Sequence, residues 1–464
     1  MSGTTLAGIA AMCGGRLENA ADPERIVGPG AVSIDTRALT PGSIFVAVRG
    51  EGRDGHAFVA DAAARGAAAA IVEDGRAVEA PGGFALVRVP DTIAGLHRWA
   101  AAHRAMMDAC VIVVTGSSGK TTTKDRIASI LETQGAVHAT PGNLNNHLGV
   151  PITLLGVTRD HRWAVVEIAM NHPGEIAPLS LLARPRHVVI TTIGWAHIGA
   201  FGTREAILAE KLDALAGLEP GGTLFHAADP WMIARLPEPI RARTRLTFGL
   251  EPGADFYPER IEWNLAETRF ESPFTGPVRY ACPGRGALHA AAAACLVSRA
   301  LGVPGDQARR ALELARPRPL RMEPRSLGPA TAILDCYNAS PESSLLAIDF
   351  LLSVACTGRR WLAFGEMREL GERSEEAHRL VGQRAAGFDG AFFLGDACAP
   401  ALDAYGKGAG TGRPAHLYAD RKELAADLAP RLREGDVVLF KGSRLTAMEK
   451  VFEECLALRA AQGE

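Results

Sequence analysis

A chain of 464 residues is too long for one hydrophobic core, so two to four domains are expected. With 47% apolar residues, 22% charged residues and a net charge of −2, it reads as a soluble globular protein. It lacks the basic excess that nucleic-acid and membrane-surface binders need.

Eight scattered cysteines with no Cys-x-x-Cys pair give neither a disulfide framework nor a zinc site, and suit reduced thiols in a cytosolic compartment. The N-terminus has no basic region leading into an apolar one, so no signal peptide is expected. The most apolar run, 287–303, is broken by His289 and Arg299 and reads as a core helix rather than a membrane span.

In chain order, residues 1–88 predict a first unit with short strands over 32–34, 44–48 and 68–72. A helix over 57–65 stops at Gly66, as a C-terminal glycine cap requires. From 89 to 316, strands over 111–114, 164–168, 188–192 and 222–226 alternate with amphipathic helices. That alternation predicts a mostly parallel sheet covered by helices, with its ligand crevice beyond the carboxyl ends of the strands.

The first of those strands runs into VVTGSSGKTTTK, a glycine turn followed by a lysine and threonines that open a helix. Gly116 and Gly119 let the backbone of Ser117 and Ser118 approach phosphate closely, and Lys120 supplies charge. The hydroxyl of Thr121 or Thr122 suits magnesium. The spacing departs from the common phosphate loop, since Val114 stands where its first glycine would be.

Three further polar residues fall near the crevice. Glu167 interrupts a buried apolar run and suits either a structural salt bridge or magnesium ligation. His197, beyond the next strand, reads equally as a core histidine or as a metal or phosphate ligand. Lys211 lies within the apolar arc of a helix over 204–218, beside Ile207 and Leu215. It either snorkels outward or turns toward the crevice with a lowered pKa or a covalent modification. Asn143, Asn145 and Asn146 are loop amides suited to a polar substrate or to turn chemistry.

The proline-rich basic stretch 316–325 reads as a stiff hinge into a third α/β unit, 317–464, with strands over 332–335, 361–365, 391–395 and 437–441. Asp335, Tyr337, Asn338 and Glu366 follow strands there and are placed to face the crevice, and LFKGSR adds a basic loop.

Taken together, TGSSGKTTTK, GNLNNHLGVP, EIAMNHPGEI, AHIGAFG, LDCYNASPES, GEMRELGERSEEAH and VVLFKGSR resemble, in order, the motifs of the Mur ligases. The asparagine loop and GEMRELGE resemble most the branch that adds D-Ala-D-Ala to a UDP-muramoyl peptide. The resemblance covers nearly the whole chain and implies three α/β domains. These are a UDP-sugar-binding domain (1–88), a central ATP-binding P-loop domain (89–316) and a Rossmann-like C-terminal ligase domain (317–464). It implies an ADP-forming amide ligation through an acyl phosphate, in cytoplasmic peptidoglycan precursor synthesis and so in cell shape and division.

By position, Gly116–Thr122 would hold ATP, Thr121 and Glu167 a first magnesium, and His197 with a carbamylated Lys211 a second. Ser33, Asp35, Thr36 and Arg37 match the nucleotide-sugar stretch. Asn143, Asn145, Asn146, Asn171 and His172 match the central substrate loops, and Asp335, Tyr337 and Asn338 the segment that nears ATP and the incoming dipeptide. A monomer is expected, with small-molecule substrates and neither nucleic acid nor membrane as partner.

The chain departs from the family at several points. Arg285 and Gly286 stand where a His-Asn pair is usual, and His289 replaces a further asparagine. Ser340 also replaces an asparagine, and GEM replaces GDM. A family member joining a different acid and amine, or a non-catalytic nucleotide binder, is the alternative.

Overall fold

The computed structural model describes residues 3–50, 52–241 and 244–461. Three separate sheets organise it. In the first, the order is Arg16–Glu18, Ala85–Val89, Ala69–Glu73, Ile44–Val46 and Val32–Ser33, parallel except at the first pair. The expected helix over 57–65 is shorter. Asp54 accepts from His56 N–H and opens a 3-10 turn at Gly55–Phe58, so the α-helix covers only Val59–Ala64. Gly66 closes it at φ +87°, a conformation a side chain would disfavour.

The central sheet is wholly parallel, in the order Arg245–Phe248, Thr223–Ala227, His187–Ile190, Cys110–Thr115, Trp163–Glu167 and Val137–Ala139. Val111, Ile112, Val113 and Val114 are completely buried, as a strand covered on both faces requires. The strand expected over 188–192 ends at Ile190, because Thr191 and Thr192 turn to hold the glycine loop. Helix Arg204–Leu212 tightens into a 3-10 turn at Asp213–Leu215 and so stops short of 218. Helix Arg285–Ala300 is a core helix, and no helix among the described residues is long and apolar enough to cross a membrane.

Sequence periodicity missed a three-stranded antiparallel sheet, Glu259–Trp263, Thr268–Ser272 and Gly276–Tyr280. Its buried residues alternate, Phe270 with Thr268 and Ser272 on one strand and Val278 with Tyr280 on the next.

The third sheet has the order Glu323–Leu327, Ala330–Asp335, Val437–Lys441, Arg360–Gly365, Gly390–Leu394 and Ala415–Tyr418, parallel after an antiparallel first pair. The stretch 316–325 is therefore only half a connector, because its last residues are the edge strand of this sheet. Its first half is tied to the helix Lys120–Leu131 that follows the glycine turn. Arg126 donates to Arg316 O at 2.7 Å, Arg318 to Asp125 at 2.6 Å and Arg321 to Thr121 Oγ1 at 3.4 Å.

Candidate active site

The turn between strand Cys110–Thr115 and helix Lys120–Leu131 has Gly116 at φ +143° and Gly119 at φ +83°. A Cβ on Gly116 would stand 2.0 Å from Thr191 Oγ1, so only glycine fits. The neighbouring strand end fastens the loop. Ser117 N–H donates to Thr192 O at 2.8 Å, and Thr191 Oγ1 donates to Ser118 O at 2.5 Å. Lys120 Nζ folds back on its own loop, donating to Gly116 O at 2.8 Å and Ser117 O at 3.3 Å. Burial pushes its pKa down, Glu167 opposes that, and Arg321 adds to it. The result is a fixed glycine turn at a helix start with a lysine beside it, an arrangement suited to an anion.

Glu167 ends the adjacent strand, opposite Val114, and is 1% exposed. Its Oε1 accepts from Asn145 Nδ2 at 2.8 Å and Thr121 Oγ1 at 3.2 Å. Its Oε2 is buried with no hydrogen-bond partner, and Glu167 forms no ion pair among the described residues. An unmet carboxylate oxygen in such a place is costly, and it sits beside a second hard oxygen on Thr121. That donor set fits magnesium.

His197 takes a left-handed backbone, φ +66°, at the start of the short helix Ile198–Phe201. Its Nδ1 lies 2.6 Å from Glu369 of the third sheet's loops, so it is not a core histidine. The same contact holds the Glu369 carboxyl below its usual range. Lys211 does not snorkel, since it is 1% exposed and its amine makes no hydrogen bond or ion pair among the described residues. Burial first, and the Lys120 charge second, lower its pKa far below the ordinary lysine value. Its neighbour Glu210 is committed elsewhere, accepting from Gly174 N–H at 2.7 Å and Ile176 N–H at 2.9 Å. No group of three or more His, Cys, Asp and Glu that could hold a metal occurs among the described residues. Oxygens from phosphate or a modified lysine would have to complete any magnesium shell here.

One cavity of about 430 Å³ collects most of the expected residues. Ser117 to Thr121, Asn143, Asn145, Glu167, Asn171 and His197 line it from the central sheet, and Asp335, Tyr337 and Asn338 from the third. Asp335 and Lys441 face each other across two paired strands and form a partly buried ion pair of 2.6 Å, which fixes the start of the 336–340 loop.

Other expected residues lie elsewhere. Gly116 backs the loop, and Thr122 lines a narrower adjoining cavity. Asn146 has turn chemistry, its Oδ1 accepting from Gly149 N–H at 2.9 Å. His172 is exposed in a loop whose amides are held by Glu175. Glu366 is structural, pairing with Arg368 and accepting from Ala397 N–H. Ser33 ends the edge strand of the first sheet, and Asp35 caps the 3-10 turn that holds Thr36 and Arg37. There Arg37 pairs with Asp35 at 2.6 Å, Ser33 donates to Asp35 O at 2.8 Å, and Thr36 is buried.

Sequence reasoning missed Arg321, Glu369 and Glu342. Arg321 lines the cavity and stacks 4.2 Å over the Tyr337 ring. Glu342 accepts from Trp195 N–H at 2.6 Å, so it and Glu369 grip the segment Trp195–His197 from the third sheet's side. Glu369 lies in the GEMRELGE motif and Glu342 in LDCYNASPES, so each stood in a motif that the sequence offered.

Three family models match the chain, the Mur ligase middle domain over 114–298, the Mur ligase glutamate ligase domain over 320–444, and the Mur ligase family catalytic domain over 30–108. A UDP-N-acetylmuramoyl-tripeptide–D-alanyl-D-alanine ligase of Bacillus subtilis (strain 168) is 32% identical across 97% of this chain and 98% of its own. A solved structure of MurF from Acinetobacter baumannii superposes with TM-score 0.86 at 28% identity, covering 98% of this chain and 99% of that one. The MurF ligase of Thermotoga maritima in complex with ADP gives TM-score 0.79 at 31% identity over 92% and 98%.

Proposed function

The chain belongs to the Mur ligase family, and on that premise we propose that it joins D-Ala-D-Ala to UDP-N-acetylmuramoyl-tripeptide at the expense of ATP. The observation that carries this reading is the shared cavity, in which the glycine loop and the unmet Glu167 oxygen confront Asp335 and Asn338 of the third sheet. In this reading a phosphoryl donor and an acceptor carboxylate meet in that cavity. The reaction is ADP-forming and belongs to peptidoglycan precursor synthesis, which we place in the cytoplasm.

In this reading residues 1–88 hold the UDP-sugar, 89–316 hold ATP, and 317–464 bring the amine. The loop amides and Lys120 cradle the phosphates, and Lys120 exchanges its bonds to Gly116 O and Ser117 O for phosphate oxygens. The substrate carboxylate takes the terminal phosphoryl group, forming an acyl phosphate and releasing ADP. The amine then attacks the carbonyl carbon, and phosphate leaves from the tetrahedral intermediate. Asn143, Asn145, Asn171 and His172 orient the peptide, and Asp335, Tyr337 and Asn338 the incoming dipeptide and ATP.

Thr121 and Glu167 would hold one magnesium, and His197 with Lys211 a second, where the metal supplies charge neutralisation at the transferred phosphoryl group. Lys211 supports modification by its burial and lowered pKa, since the neutral amine is the form that attacks carbon dioxide. The N–C bond forms as one C=O π pair of carbon dioxide moves onto oxygen, a proton leaves, and an anionic carbamate stands in place of the neutral amine.

Phosphate release measured against UDP-muramoyl peptides, each with and without D-Ala-D-Ala, tests the whole reading. Release that requires both acid and dipeptide is expected. Release with another amine, or ATP binding without any release, would replace it.

A further inference from the structure

His197 follows a strand of the central sheet and Glu369 a strand of the third, and each holds a backbone conformation that its side chain disfavours. Their φ angles are +66° and +65°. Around them the two segments lie backbone against backbone. Gly199 N–H donates to Glu369 O at 3.0 Å. A Cβ on Gly199 would stand 2.8 Å from Gly371 N, so a side chain there would push the segments apart.

Across this crossing His197 Nδ1 lies 2.6 Å from Glu369 Oε2. A carboxylate accepts and never donates, so the proton of that bond is carried by Nδ1. The other ring nitrogen, Nε2, has no hydrogen-bond partner among the described residues. His197 lines the cavity that also holds the glycine turn and Glu167. In a neutral ring protonated at Nδ1, the lone pair is on Nε2.

Docking alone does not account for the pair. Glu369 has 60% of its side chain exposed, and an ion pair so open to solvent adds little stability. The two units are already joined here by Gly199 N–H, by Glu342 on Trp195 N–H, and by Arg373 lying 5.8 Å over the Trp195 ring. What the carboxylate adds is direction. It decides which nitrogen is protonated and how the ring is turned, as a carboxylate behind a metal-binding imidazole does.

We propose that Glu369 is a positioning residue for His197, fixing the tautomer protonated at Nδ1 and presenting Nε2 to the cavity as a ligand for a divalent cation. This rests on the metal reading above. Ring and carboxylate come from different units, so the cation site is complete only when the loops of the third sheet are in place.

Nitrogen-15 NMR of the histidine rings in the full chain, without metal or nucleotide, reads the tautomer, and His197→Ala assigns the signal. Manganese binding to the chain holding the β,γ-imido analogue of ATP, followed by electron paramagnetic resonance, reads the site. The wild type should show Nδ1–H with a bare Nε2. Glu369→Ala should lose that tautomer preference and weaken manganese by about tenfold or more, and Glu369→Gln, whose carbonyl still accepts from Nδ1, should lose less. A wild-type ring carrying a proton on Nε2 at neutral pH would overturn the inference. Glu369→Ala with unchanged tautomer and manganese affinity would also overturn it, leaving the metal reading standing. Unchanged manganese affinity in His197→Ala would overturn both.

Discussion

Two polar stretches face ligands in the reading above, and they are built in opposite ways. At the end of the central sheet Glu167 is 1% exposed with one unmet oxygen, and on helix Arg204–Leu212 Lys211 is 1% exposed with no hydrogen bond to its amine among the described residues. On the first sheet's loops, Arg37 has 78% of its side chain exposed and Asp35 40%, and the two satisfy each other. That pairing holds the Asp35 carboxyl down to about 2. Buried groups left unmet destabilise the empty protein and recover that loss only when ligand completes them. Exposed groups that pair locally cost almost nothing and contribute little until a ligand displaces the pairing. The first arrangement suits chemistry, where geometry must be fixed in advance, and the second suits affinity.

The sharpest way to break this contrast is Lys120→Ala. Loss of turnover by about two to three orders of magnitude is expected, as for removal of a single charge-stabilising donor, with an unchanged circular-dichroism melt. Near-normal phosphate release would remove the glycine loop from the chemistry.

A smaller effect, of about tenfold to a hundredfold, is expected for Lys211→Ala, with part of the rate restored by added formate or acetate. Near-normal turnover without such anions would end the modified-lysine reading. Lys211 also makes a pH prediction for stability. Its folded pKa is depressed, so between that value and the ordinary lysine value the unfolded chain binds more protons, and stability rises with pH. Lys211→Met should flatten that rise in Tm, most visibly at the acidic end of a series run without carbon dioxide.

The smallest effect belongs to the exposed stretch. Arg37→Ala should raise KM for the UDP-sugar substrate by about tenfold, leave kcat within about twofold, and leave nucleotide affinity untouched. A fall in kcat instead would place Arg37 in the chemistry and erase the contrast.

Much of this was legible in the sequence because local signals agreed. The strand before the glycine turn is an unbroken β-branched run, and Gly116 and Gly119 do adopt backbone angles that side chains disfavour. The apolar arc around Lys211 correctly placed it on the buried face of its helix. What was not legible depends on partners far apart in the chain. Glu342 meets Trp195 across 147 residues, and Lys441 meets Asp335 across 106. No periodicity in either segment encodes such a meeting. The antiparallel sheet at 259–280 was a different failure, since its alternation was present but its strands are short and only half buried. Asn146 misled in a third way, because an asparagine that closes a turn has the same composition as one that contacts substrate.

The helix Lys120–Leu131 begins at the glycine turn and, within its first two turns, holds the chain that leads to the third sheet through Asp125 and Arg126. Sensor and tether are therefore one rigid rod. On the nucleotide reading, a displacement of that helix as a phosphoryl group departs would reach the connector directly through these contacts. Lengthening the connector by a few flexible residues at 317 would leave every contact with ATP in place and still deafen the C-terminal unit to what ATP has become.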